Sequence, residues 1–64
     1  MSVARVTEIT ARADSYEAAI DAGITRAQET LRGVEHVWVK DHEIRLADGQ
    51  AQHQVSLKVT FVLE

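Results

Sequence analysis

Sixty-four residues with ten Asp and Glu against seven Lys and Arg give a formal charge of −3, and the basic residues are scattered, which argues against a nucleic-acid partner. Hydrophobic residues at 45% exclude a disordered chain, while no apolar run approaches the roughly 20 residues of a membrane helix and no signal-peptide pattern opens the chain, so a soluble, cytoplasmic single domain spanning 1–64 is expected. Without cysteine there is no disulfide to supplement a core that, below about 70–80 residues, seldom suffices alone, so association with copies of itself is the expected remedy.

In chain order, Val3 to Thr10 is rich in β-branched residues and predicts a first strand. Asp14 or Ser15 caps a helix that ends near Arg32, with Glu17 near its positive end and Gly33 as the stop. Tyr16, Ile20, Ile24, Ala27 and Leu31 recur at spacings of three and four and predict the stripe that packs on a sheet. Ala19 and Gly23 either permit a close approach or, in the case of Gly23, merely weaken the helix.

Val34 to Leu46 predicts a second strand, and Asp48-Gly49 supplies a turn before a third strand opening around Ala51. Along that strand Val55, Leu57, Val59, Phe61 and Leu63 alternate with Gln54, Ser56, Lys58 and Thr60. The fold class is α+β: a β-α-β-β chain whose single helix covers one side of an antiparallel sheet. The other side must then meet solvent, a ligand or another subunit.

If Val37 and Val39 join the core, then His36, Trp38, Lys40 and His42 share the uncovered face, where the hairpin brings His36 and Trp38 toward Gln54 and Ser56. An indole there stacks on a planar aromatic ligand or fills a subunit interface. Gln54 can donate and accept at one edge, which suits the imide edge of a flavin or pyrimidine, though a strand glutamine can equally be solvated. His36 can stack, ligate, titrate or simply face water. His36 and His42 are six strand residues apart, roughly 20 Å, and His53 has the opposite parity, which argues against a metal site within one chain. The sequence contains no nucleophile elbow, phosphate loop or metalloprotease helix motif, so an enzyme is not expected.

The order of elements, the helix end Arg26-Ala27 with Thr30-Leu31-Arg32, and the ending Gln54-Val55-Ser56-Leu57-Lys58-Val59-Thr60-Phe61-Val62-Leu63-Glu64 together resemble the dodecin family over essentially the whole chain. The resemblance implies a hollow homododecamer in which each three-stranded antiparallel sheet partly wraps its helix. It also implies two flavins at a two-fold axis, stacked between tryptophans, with a glutamine bonding the ring edge. Gln54 falls on that glutamine. His36 falls on the stacking position without a gap, and Trp38 follows two residues later on the same face. Glu43 and Val62 stand where phosphorylated-flavin binders carry arginine, and the hairpin is one residue shorter before Gln54.

These departures favour riboflavin or a lumichrome-like ring over FMN. The expected function is flavin storage or buffering without chemistry, with Trp38, His36 and Gln54 as the binding residues. The alternative is a flavin-free structural or ion-binding dodecameric shell.

Overall fold

In the computed structural model, which describes residues 1–63, the chain forms β1 (Val3–Ala13), α1 (Tyr16–Thr30), β2 (Val34–Ala47) and β3 (Gln50–Leu63). Glu64, the last residue of the ending quoted above, lies outside the described residues. The sheet order is β1-β3-β2, with both neighbours antiparallel to the central strand. Centrality explains why Val55, Leu57 and Val59 are fully buried: β3 is flanked on both sides and roofed by the helix. β1 runs three residues past its expected end, because Ala11 and Ala13 continue the ladder opposite Val55 and His53.

Ser15 caps α1, its extended backbone letting the side-chain oxygen accept from the Ala18 N–H at 3.1 Å. The helix stops at Thr30, short of Arg32, because Leu31 is already extended while its N–H still reaches the Ala27 carbonyl at 2.9 Å. Gly33 therefore does not cap the helix. At φ +70° it turns the chain into β2, and its carbonyl accepts from the Val62 N–H at 3.0 Å.

The buried stripe also differs from the expected one. Ala19, Gly23 and Ala27 face the sheet, Ile20 and Ile24 are half-buried, and Tyr16 is exposed. A row of small residues lets the helix axis come close to the sheet, so the larger side chains are displaced to its flanks. Ile20 and Leu31 pack against the core from there.

The hairpin closes through Asp48 and Gly49, both at positive φ (52° and 74°), as a two-residue turn matched to strand twist requires. Its register slips between Val34 and His36 and again between Val39 and Asp41. The second slip inserts Lys40 as an extra residue, which inverts the alternation beyond it. His36 and Trp38 thus share the uncovered face with Thr60 and Lys58, but His42 does not. It pairs with Val55 on the helix side. Among the described residues no helix is long and apolar enough to cross a membrane.

Candidate functional site

The face of the sheet turned away from α1 is a grid of three strands. Strand register places Arg12, Gln54 and Glu43 in one row, Thr10, Ser56 and Asp41 in the next, then Glu8, Lys58 and Trp38, and finally Val6, Thr60 and His36. Gln54 is held at both ends. Its Oε1 accepts from Arg12 Nε at 2.7 Å and its Nε2 donates to Glu43 Oε1 at 3.4 Å. Those two contacts fix the amide's orientation while leaving one lone pair and one N–H available.

Trp38 is 54% exposed, a large apolar ring left on an open face. Lys58, directly across the strand pair, places Nζ 5.3 Å from the indole centroid, a cation–π contact. Lys40, the bulge residue, reaches over the central strand to Glu8 Oε1 at 3.2 Å. That pair is substantially exposed, so it adds at most about 1 kcal/mol.

The structure separates residues that the sequence reading placed together. Trp38 sits opposite Lys58, one diagonal step from Ser56, while Gln54 lies four residues further along β3, roughly 14 Å away. His36, opposite Thr60, is roughly 20 Å from Gln54 by the same measure. The cause is the turn: closing the hairpin at Asp48-Gly49 fixes Glu43 opposite Gln54, so the indole is carried further along the sheet. Within one chain the face therefore offers an amide end and an indole end rather than a single pocket.

Arg12 joins the candidate site through its contact with Gln54, and sequence reasoning missed it. It lies beyond Thr10, where the first strand was expected to stop. The signal was available, because Ile9, Ala11 and Ala13 continue the alternation with Thr10 and Arg12 between them.

The dodecin family model matches residues 3–64. A Streptomyces davaonensis dodecin is 37% identical and superposes with a TM-score of 0.91, covering 98% of this chain and 96% of that one. A mutant Thermus thermophilus dodecin is 32% identical at TM-score 0.92, with 100% and 98% covered. A calcium-chelating dodecin from Mycobacterium tuberculosis, 22% identical at TM-score 0.88 with 98% and 93% covered, shares the fold. No curated protein sequence matches significantly. On the family match and these structural likenesses, the chain belongs to the dodecin family.

Proposed function

We propose that this chain assembles as a homododecamer that binds and buffers a flavin without reacting with it, riboflavin or a lumichrome-like ring being preferred to FMN. The observation that carries the reading is the exposed indole of Trp38 on the same uncovered face as the anchored amide of Gln54. A planar ring gains stacking from the first and polar recognition from the second. A two-fold axis of the family type brings a second open face to the first, so indole and amide need not belong to one copy. Close stacking on an electron-rich indole also quenches an excited flavin.

The test is a riboflavin titration of the purified assembly, followed by flavin fluorescence. Saturable quenching supports binding. Undiminished fluorescence from an intact assembly overturns it.

The flavin-free shell is kept as a second reading because Lys58 already covers the indole and a histidine occupies the family's stacking position. The calcium-chelating relative gives the ion-binding form of that reading a precedent on this fold.

A further inference from the structure

Two features of the sheet coincide at Gln54. β1 continues to Ala13, which sets Arg12 opposite Gln54 on one side. On the other side, the inversion at Lys40 puts Glu43, rather than His42, on the uncovered face opposite the same glutamine. A cation and an anion therefore flank one amide across three strands. We propose that Arg12 is a positioning residue for the flavin site: it holds the Gln54 amide in a single orientation and so makes the site selective for a ring edge that carries an N–H beside a carbonyl. The proposal rests on the flavin reading above and adds to it what sets the polarity of the glutamine.

The hold follows from donor and acceptor chemistry. A guanidinium has only N–H donors and a carboxylate only acceptor oxygens, whereas the two ends of an amide are nearly alike in shape. In the observed orientation Arg12 Nε donates to Gln54 Oε1 at 2.7 Å, and Gln54 Nε2 donates to Glu43 Oε1 at 3.4 Å. Turning the amide over would set N–H against N–H on the Arg12 side and oxygen against oxygen on the Glu43 side. The Arg12 contact is the shorter and has a charged donor, so it carries most of the hold. Hydrogen bonds in such a chain polarise one another: the cation on the oxygen strengthens the remaining N–H as a donor, and the anion on the nitrogen strengthens the remaining lone pair as an acceptor.

The consequence is a fixed reading direction. With its other bonds taken, Gln54 offers one acceptor and one donor, which match the imide N–H of a flavin and the carbonyl beside it. A free amide is less strict, because it can turn and offer both N–H groups to a ring that presents only carbonyls. Arg12 thus governs which rings are accepted, acting through Gln54 and not on the ligand. Riboflavin is neutral, so the charge of the guanidinium gives it no direct attraction.

The experiment titrates the assembled full chain with riboflavin and with riboflavin methylated on its imide nitrogen, which keeps both carbonyls but lacks the N–H, and follows flavin fluorescence. The native chain is expected to bind riboflavin about tenfold more tightly than the methylated ring. Arg12→Met should weaken riboflavin binding by about three- to tenfold and narrow that discrimination, whereas Arg12→Lys, which keeps a charged donor, should recover most of both. In a Gln54→Leu background Arg12→Met should change neither affinity further, since no amide is left to hold. If light scattering shows that Arg12→Met does not assemble, Arg12→Thr, too short to reach the amide and well suited to a strand, takes its place. A merely structural role for Arg12 would weaken both rings equally, with or without the amide, and that result overturns the proposal, as does discrimination unchanged by Arg12→Met. Riboflavin left unquenched by the native assembly would sink the flavin reading and this proposal with it, whereas riboflavin binding with an Arg12 effect independent of Gln54 sinks the proposal alone.

Discussion

Gly23 of α1 and Leu57 of β3 meet at the one point where the helix carries no side chain, and a Cβ added at Gly23 would stand 2.5 Å from Leu57 Cδ1 and 3.3 Å from the Ala11 Cβ. Leu57 is fully buried, so its side chain would have to shift within the core to admit that atom. Gly23→Ala gains about 1 kcal/mol of helix propensity but incurs an overpacking cost of about 1–3 kcal/mol. The expected net effect is destabilisation by about 1 kcal/mol, read by denaturant unfolding at fixed protein concentration, since assembly makes stability concentration-dependent. In a Leu57→Ala background the obstruction is gone and Gly23→Ala should instead stabilise by roughly 1 kcal/mol. Retention of the original sign in that background would show that the glycine is needed for something other than contact with Leu57.

Assembly has its own physical motive. β1 and β2 are both edge strands, and Val3, Val6, Trp38, Ile44 and Leu46 are exposed apolar side chains on them. Open edges and exposed apolar side chains of this kind favour self-association. Light scattering at neutral pH is expected to give about twelve times the 7.1 kDa subunit mass. A stable monomer or dimer would remove the two-fold axis on which the flavin reading depends. With each copy at −3, divalent cations or salt should raise the melting temperature of the assembly.

Much of this fold was legible in the residues themselves. The alternation of Val55 to Leu63 located the core strand, Ser15 the start of the helix and Asp48-Gly49 the turn, because each is a local signal with a local cause. The bulge at Lys40 was not legible, because nothing in Val39-Lys40-Asp41 marks an extra residue and the slip is seen only in the pairing of β2 with β3. That slip moved His42 to the other face. The helix stripe was misread for a related reason, since hydrophobicity ranks Ile20 and Ile24 above Ala19 and Gly23, whereas closeness to the sheet selects for smallness.

Ligand charge should be read out at the Arg12–Gln54–Glu43 row. Glu43 would repel a phosphate and the chain is acidic, whereas Arg12 on the same row would attract one, so the native chain should favour riboflavin over FMN only modestly. Glu43→Gln leaves Arg12 without the opposing carboxylate. FMN affinity should then rise about two- to fivefold at low salt, with riboflavin affinity little changed, and the gain should shrink at high salt. Equal changes for both ligands would mean that Glu43 acts through Gln54 rather than through charge.

Trp38 decides between a binding face and a structural one, because the two readings give its indole different work. If it stacks on the ring, Trp38→Ala removes roughly 1 kcal/mol or somewhat more, so flavin affinity should fall about tenfold while the assembly persists. If it fills a subunit contact, the same change leaves a cavity and should lower assembly stability by a few kcal/mol. His36→Ala must be measured beside it, since the ungapped resemblance puts His36 at the family's stacking position and it stands two residues away on the same face. Lys58→Met tests the contact that covers the indole: removing the ammonium from its place 5.3 Å from the ring centroid should strengthen flavin stacking if Trp38 is the stacking residue. Loss of assembly on Trp38→Ala, together with flavin binding indifferent to His36→Ala and Lys58→Met, would make the indole a structural residue and require the flavin site to be sought elsewhere on the face.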